Sequence, residues 1–194
     1  MKYFLAACSF LLILALAVCC VDAAQFRDSY IRLHILADSD TEEAQKIKLS
    51  LRDAFLEEFS ERIRSSGNTE DAEKRIEELL PEIESFCNDY LAEAEVSYQA
   101  RATLSREYYP MREYQDFALP AGTYRSLRIL LGSGEGQNWW CVVYPPICLS
   151  LASGEDAAVP AGLSREDFET IRGDRTGKFI FRFKILEFFG KIFR

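Results

Sequence analysis

The segment from Gly132 to Cys148, GSGEGQNWWCVVYPPIC, contains the residues of this chain whose types and spacing most suggest chemistry. It combines three glycines at alternate positions, two adjacent tryptophans, a Pro-Pro pair and two cysteines. Such a composition would suit a phosphate-binding loop, a reactive thiol or a rigid surface that docks a protein partner. The residues around the segment distinguish these three kinds of site.

A phosphate-binding loop needs glycines that let backbone N–H groups approach the anion, followed by a helix whose N-terminus faces the charge. Here the glycines lead into residues 138–144, NWWCVVY, whose bulky and β-branched side chains favour a strand. The third glycine of G-x-G-x-x-G is absent, and no Gly-Lys-Ser/Thr follows. We therefore expect no nucleotide and no cofactor, and interpret the glycines as turn residues of a hairpin with positive φ angles.

A nucleophilic thiol needs a lowered pKa, usually supplied by a helix N-terminus or a neighbouring imidazole. Cys141 lies among apolar residues of the predicted strand, and the only histidine of the chain is His34. His34 falls on the polar side of an alternating strand, which favours a surface or hydrogen-bonded histidine over a catalytic one. A structural zinc site is also disfavoured, because the chain beyond residue 24 offers only one histidine and three cysteines as typical zinc ligands. We expect no catalytic residue and no metal site.

The docking surface is the interpretation that remains. Cys141 and Cys148 would point to opposite faces of a straight strand, but the Pro-Pro pair between them interrupts the strand and can fold the chain back. We expect a disulfide between these cysteines, with two buried reduced thiols as the alternative. Trp139 and Trp140 are consecutive, so they must face opposite sides of the strand, one toward the core and one toward a partner.

Other elements must position this segment. Residues 30–37, YIRLHILA, alternate apolar and polar side chains, which predicts a strand. After it, Asp40 and Glu43 have the spacing of a capping box, so a helix should start at Thr41. Apolar residues then recur every three or four positions for about 50 residues, interrupted at SSGNT, residues 65–69, which predicts a helical hairpin.

A period of two returns after the helices and predicts strands at residues 96–104, 114–119, 124–131 and 138–144. An initial strand, a long helical hairpin and a mostly antiparallel strand meander make one α+β domain, placed at residues 25–149. Residues 150–177 are expected to be an irregular loop region. Residues 178–194 are expected to form a last strand and a basic amphipathic helix, which either packs on the domain or lies in an anionic membrane interface.

The N-terminus and the net charge limit where the protein works and what it binds. Residues 1–24 join Lys2 to an uncharged apolar run and a small-residue sequence, as in a secretory leader that is either removed as a signal peptide or retained as an anchor. The rest of the chain then belongs outside the cytoplasm. A net charge of -8 disfavours nucleic acid as a partner, because such binding depends on Lys and Arg neutralising phosphates.

Three stretches carry a family resemblance: residues 31–40, IRLHILADSD; residues 120–127, PAGTYRSL; and the NWWC-to-PPIC segment. Together, over about residues 30–149, they resemble the stage II sporulation protein R family. The resemblance implies a non-enzymatic signalling protein, exported from the forespore into the space between its two membranes. There it would be required to activate a membrane-embedded aspartic protease that processes pro-sigma-E in the mother cell.

That protease is the implied partner, with contact to the membrane surface through the basic C-terminus. We expect the docking surface in the glycine-rich segment, where a disulfide and the Pro-Pro pair would pre-order it. An alternative of another class is an extracytoplasmic cell-wall hydrolase or ligand-binding protein that uses Cys141 or the acidic turn after the first strand. The expected partner-binding residues are Gly134, Gly136, Asn138, Trp139, Trp140, Tyr144, Pro145 and Pro146.

Overall fold

The computed structural model of the protein describes residue 3, residues 26–113 and residues 118–146. Within these ranges, no helix combines the length and the apolar composition needed to cross a membrane. Other predicted features lie outside the described residues: nearly all of the leader at 1–24, residues 114–117 of a predicted strand, Cys148, the loop region at 150–177, and the strand and helix at 178–194.

The described part of the chain contains six strands and two long helices that follow the predicted α+β order. Helix α1 spans Glu42–Arg64 and helix α2 spans Thr69–Glu93. The strands are β1 (Ile31–Leu36), β2 (Ala100–Tyr109), β3 (Arg112–Glu113), β4 (Ala118–Leu119), β5 (Gly122–Leu131) and β6 (Asn138–Tyr144).

Four of the strands form one sheet in the order β2-β5-β1-β6, and β3 pairs with β4 in a separate short ladder. The β2–β5 and β1–β6 pairs are antiparallel, whereas β1 and β5 are parallel. This arrangement confirms the α+β class and the mostly antiparallel sheet. The hairpin predicted between β5 and β6 is wrong, because β1 lies between them. The glycine loop instead crosses the end of β1, a span of about 10 Å at the usual strand spacing.

The helix starts show one correct capping prediction and one wrong one. Asn68, within SSGNT, caps α2 by accepting a hydrogen bond from the Asp71 N–H at 2.9 Å, as expected. At α1 the cap is Thr41, whose hydroxyl accepts from the Ala44 N–H. Asp40 is not the cap, because its carboxylate accepts a hydrogen bond from another part of the chain, the N–H of Gln137.

The two helices cover one face of the sheet and form the main core with it. Alternate residues of each strand point to this face, as the period of two requires. On the helices, the buried residues recur at three and four positions, so each helix presents one apolar stripe. The core is built mainly of Ile31, Leu33, Ile35, Leu51, Phe55, Phe59, Ile63, Ile76, Leu79, Ile83, Leu91, Leu127, Ile129, Leu131 and Val143.

The opposite face of the sheet carries a smaller aromatic cluster. Tyr30, Tyr109, Tyr124, Leu119 and Val142 are buried there, with Phe26 and Trp140 packed at the margin. Polar side chains of β1, β2 and β5 share this face with the aromatic rings. We call this side of the sheet, which faces away from the two helices, the polar face.

Candidate functional site

The glycine loop, residues 132–137, is fastened to the turn that follows β1. The Ser133 N–H donates to Asp38 Oδ1 at 2.8 Å, and the Ser133 hydroxyl donates to the Asp38 carbonyl at 2.7 Å. The Gln137 N–H donates to Asp40 Oδ1 at 2.7 Å. The acidic turn therefore holds this loop in place through hydrogen bonds to its backbone.

The glycines of this loop are required by its path. Gly132 and Gly134 have φ angles of 57° and 68°, in the left-handed region that glycine adopts without steric cost. This confirms the turn role predicted for them. Gly136 has a different reason: a Cβ atom there would collide with the backbone carbonyl of Ser39. The loop and the turn approach too closely for a side chain at that point.

Helix α1 supports the loop from beneath through Lys48. Its ammonium donates to the Gln137 carbonyl at 2.8 Å and to Gln45 Oε1 at 2.6 Å, while the Gln45 amide donates to the Ser39 carbonyl. Lys48 is buried, which lowers its pKa, and the nearby Asp40 carboxylate partly opposes that shift. Lys48 and Gln45, which bond to each other, thus connect the helix to the loop and to the turn.

The two tryptophans of β6 lie on opposite faces of the sheet, as predicted. Trp139 packs against the helical core, with the Arg52 guanidinium 5.0 Å from its ring centroid. Trp140 lies on the polar face, with the Arg112 guanidinium 3.8 Å from its ring centroid. Both rings are half-buried, so each keeps part of its surface available for contact.

The other expected partner-binding residues separate into exposed and buried ones. Asn138 is exposed and Gly134 is partly exposed, so both remain beside the tryptophans at the surface. The accessible part of the expected site is therefore the start of β6 and the loop before it. Four of the expected residues do not contribute a free surface, because they are buried: Gly136, Tyr144, Pro145 and Pro146.

A cluster of hydrogen-bonded side chains on the polar face was not foreseen from the sequence. His34 Nδ1 lies 3.1 Å from Glu107 Oε2, and His34 Nε2 lies 2.8 Å from Asn138 Oδ1. The Ser126 hydroxyl donates to the same Glu107 oxygen at 2.7 Å, and the Tyr109 and Ser126 hydroxyl oxygens are 2.6 Å apart. We call these five residues the Glu107 cluster. It joins all four strands of the main sheet.

The electrostatics of the cluster depend on the Glu107 carboxylate. Burial alone would raise the pKa of Glu107, but hydrogen bonds with His34 and Ser126 and the charges of His34 and Arg128 outweigh it, so the pKa is lowered. Burial raises the pKa of Tyr109, whose hydroxyl stays protonated and able to donate. The cluster is thus built around one ionised carboxylate with several donors.

The cluster lacks the arrangement of a nucleophilic site. Ser126 is fully buried, and its hydroxyl contacts Glu107 and Tyr109 rather than His34. His34 is a hydrogen-bonded histidine, as expected from its place on β1. The signal that was missed is the alternation of β2, which continues past residue 104 and places Glu107 and Tyr109 on the same face as His34.

A fully buried arginine lies deeper on the same face. The Arg32 Nε donates to the Cys141 carbonyl at 3.1 Å. Its guanidinium lies 4.3 Å from the ring centroid of Tyr109 and 5.2 Å from that of Tyr124. The two rings and the carbonyl offer this cation electron-rich surfaces in place of water.

Metal ligands and reactive thiols do not assemble in the described ranges. No group of three or more His, Cys, Asp or Glu side chains there is placed to hold a metal ion. Cys87 is a free thiol buried in the core, and burial raises its pKa to about 12. Cys141 is buried as well. Since Cys148 lies outside the described residues, the bridge between Cys141 and Cys148 stays a prediction.

Comparison with known proteins gives a consistent assignment. The family model for stage II sporulation protein R matches residues 27–153. Over 129 residues the chain is 34% identical to the Stage II sporulation protein R of Bacillus subtilis (strain 168), which covers 66% of this chain and 58% of that protein. The match thus spans less than two thirds of that relative's length. No solved structure matches the chain. The glycine loop, the paired tryptophans and the sheet that holds them all lie within the matched residues, and the chain belongs to the stage II sporulation protein R family.

Proposed function

We propose that this protein is an exported intercellular signal of sporulating bacteria. It is required to activate the membrane-embedded aspartic protease that processes pro-sigma-E in the mother cell. Membership of the stage II sporulation protein R family supports this proposal, and so does the secretory character of residues 1–24. Export would carry the protein from the forespore into the space between the two membranes. The basic residues of 178–194 would concentrate it near an anionic membrane surface.

The observation that carries the proposal is the fastened tryptophan pair at the start of β6. Trp139 and Trp140 follow a loop held by Asp38, Asp40 and Lys48, and each ring keeps an accessible part. Large aromatic side chains on a rigid support are the commonest energetic anchors of protein interfaces. Because the loop is ordered before binding, docking loses less conformational entropy.

The protein acts by binding and has no catalytic role in this proposal. Its binding shifts the protease toward the active state only if it binds that state more tightly than the inactive one. The geometry of the Glu107 cluster supports a non-enzymatic role, because its serine hydroxyl is buried and its histidine is directed at Glu107 and Asn138. The cluster instead holds the side chain of Asn138, the residue before Trp139, through the hydrogen bond with His34.

A disulfide between Cys141 and Cys148 is part of the proposal. Cys87 is a free thiol buried in the core, so Cys141 and Cys148 are the cysteines of residues 25–149 that a bridge would join. An exported chain would form such a bridge readily. It would restrain the chain that leaves β6. Non-reducing peptide mapping of the exported protein would identify the partner cysteine, and a free Cys148 thiol would reject the bridge.

The proposal is tested with single alanine substitutions of the two tryptophans in a sporulating strain. Trp140→Ala is expected to reduce pro-sigma-E processing at least tenfold, since loss of an interface anchor typically costs about 2 kcal/mol or more. Trp139→Ala should reduce processing and also stability, because this ring packs against the core. Leu49→Ala, at an exposed apolar residue of α1, is the matched control and should process normally.

Processing is measured by immunoblot for pro-sigma-E, and export and folding of each variant are confirmed by fractionation and circular dichroism. Normal processing with both tryptophan variants would exclude the start of β6 as the docking surface. Processing that continues after deletion of the gene would reject the activating role itself.

A second candidate is an extracytoplasmic cell-wall hydrolase or ligand-binding protein. The one observation in its favour is the Glu107 cluster, in which a histidine and a carboxylate meet beside the exposed Asn138. His34→Gln separates the two functions, because it removes imidazole chemistry but keeps hydrogen-bonding groups. Normal processing by a folded His34→Gln protein would favour the signalling role.

A further inference from the structure

Strand β2 forms one edge of the main sheet, and its backbone groups alternate in direction. The register with β5 runs without a shift from Ala100 to Tyr109. Just before the strand, the Gln99 carbonyl accepts from the Gly132 N–H at the end of β5, so the groups of odd-numbered residues point toward β5. The N–H and C=O groups of even-numbered residues therefore point away from the sheet.

The first part of this edge is already covered by side chains of α2. The Asn88 side chain accepts from the Ala100 N–H at 2.8 Å and donates to the Ala100 carbonyl at 3.3 Å. Glu84 Oε2 accepts from the Ala102 N–H at 2.9 Å. These contacts confirm the outward direction of the even-numbered residues. They also replace the neighbouring strand that such an edge would otherwise pair with.

Beyond Ala102 the cover ends while the strand continues. In the part of the chain that the structure describes, the outward N–H and C=O groups of Leu104 and Arg106 have no hydrogen-bond partner. The flanking side chains of Thr103, Ser105 and Arg106 are exposed. An extended, regular edge with open backbone groups and exposed side chains is a template for an added strand.

Charge favours one kind of occupant. Arg101 and Arg106 are exposed on β2, and Arg128 lies on the neighbouring strand opposite Thr103. The one carboxylate of β2, Glu107, is directed to His34 and Ser126 and lies 3.7 Å from Arg128, so it partly balances the charge of Arg128. The charge that favours an acidic occupant is therefore mainly that of Arg101 and Arg106. Asp28 pairs with Arg106 at 3.2 Å, but both side chains are half exposed, so this ion pair is weak.

We propose that the open edge of β2 at Leu104–Arg106 docks an extended, acidic polypeptide segment of a protein partner as an additional strand. The site goes beyond the proposed function, because β2 and the tryptophan-bearing β6 are at opposite ends of the sheet. Backbone hydrogen bonds give such a segment its affinity, and the arginines select its charge. A second copy of this chain fits less well, since it would bring the same arginines to an edge that already carries them.

The probe is a fluorescein-labelled peptide with the sequence Thr-Glu-Val-Glu-Val-Glu-Thr, and the control peptide has lysine in place of glutamate. Binding to the full-length protein is measured by fluorescence anisotropy. Arg106→Pro removes an outward N–H and leaves the bonds to β5 intact, and proline is tolerated at such edge positions. It should weaken binding of the acidic peptide at least tenfold. Arg106→Ala is the matched variant, which loses only the charge and should weaken binding a few-fold.

Hydrogen exchange of the unsubstituted protein provides a readout that does not depend on a variant folding. The acidic peptide should protect the amides of Leu104 and Arg106. It should leave the amide of Ala102 unchanged, because Glu84 already binds that group. Protection of Leu104 and Arg106 together with weakened binding by Arg106→Pro would establish the edge as a docking site.

Three results would overturn the proposal. The first is equal binding of the acidic peptide by Arg106→Pro and the unsubstituted protein. The second is equal binding of the lysine peptide. The third is a dimer in solution whose Leu104 and Arg106 amides are protected without any peptide, which would assign the edge to a second copy. The Trp140→Ala protein should still bind the peptide, so failure of the tryptophan site and failure of this edge are distinguishable.

Discussion

His34 Nδ1 and Glu107 Oε2 lie 3.1 Å apart although their strands, β1 and β2, are not neighbours in the sheet. The contact passes over β5, where the Ser126 hydroxyl donates to the same carboxylate oxygen. A long-range polar contact therefore reinforces the ladder hydrogen bonds across three strands. It also places the charge of Glu107 where it affects the stability of the whole sheet.

Replacing Glu107 with glutamine should make folding stability less dependent on pH. The pKa of Glu107 is lowered in the folded protein, so its ionised form stabilises the fold at pH values above its unfolded pKa of about 4.3. That stabilisation is lost as the pH falls through the folded pKa. At pH 7 we expect Glu107→Gln to lower the free energy of unfolding by about 1–3 kcal/mol. Urea unfolding at pH 7, 5 and 3 measures the effect.

The difference between the two proteins should shrink as the pH falls below the unfolded pKa of Glu107 toward its lower folded pKa, because protonated Glu107 resembles glutamine. Glu78→Gln, at an exposed helical carboxylate, is the control and should show little difference at any of these pH values. A constant gap between Glu107→Gln and the unsubstituted protein from pH 7 to 3 would contradict the assigned role of its charge.

Adding a methyl group at Gly136 should destabilise the protein, whereas the same change at Gly67 should not. A Cβ atom at Gly136 meets the backbone carbonyl of Ser39, so the loop or the turn must move. At Gly67 the nearest atom, Asp71 Oδ2, would be 3.5 Å away, an ordinary contact. We expect Gly136→Ala to cost about 1–3 kcal/mol of unfolding free energy, measured by urea denaturation. Similar stabilities of the two variants would show that loop and turn are not tightly packed.

The periodicity of the sequence predicted the helices and strands of this fold but not the order of the strands in the sheet. The strand at residues 138–144, the helix break at SSGNT and the opposite faces of Trp139 and Trp140 follow from local patterns and proved correct. The insertion of β1 between β5 and β6 was missed, because strand order depends on contacts between distant segments.

In the candidate site, too, the residues with distinctive types were predicted from the sequence, whereas those brought together by strand pairing were missed. The glycines, tryptophans and Asn138 were found by composition, since turn and interface residues have distinctive types. Glu107 and Ser126 are ordinary surface residue types, and their position beside His34 arises only after strand pairing. Asp40 was assigned to the nearest helix because capping is a local rule, but its hydrogen bond with Gln137 crosses 97 positions.

Replacing the buried Arg32 of β1 with lysine should destabilise the protein. Arg32 is stacked on Tyr109 and donates from Nε to the Cys141 carbonyl, and an ammonium group cannot reproduce the planar stacking and this bond together. We expect Arg32→Lys to lower the free energy of unfolding by about 2–4 kcal/mol, as for other disrupted buried networks. Arg75→Lys, at a half-exposed position of α2, is the control and should stay within about 0.5 kcal/mol. Equal stability of both variants in urea denaturation would show that the Arg32 contacts are dispensable.

Cys87 should react with alkylating reagents only after the helical layer opens. Its side chain is fully buried in the core, and burial together with the nearby Glu84 charge raises its pKa to about 12. At pH 8 almost no thiolate is present, and the reagent has no access to the sulfur. Mass spectrometry after iodoacetamide treatment should therefore find Cys87 unmodified in buffer and fully modified in urea. Rapid modification in buffer, at the rate of an unfolded peptide containing the same cysteine, would mean that α2 separates from the sheet under native conditions.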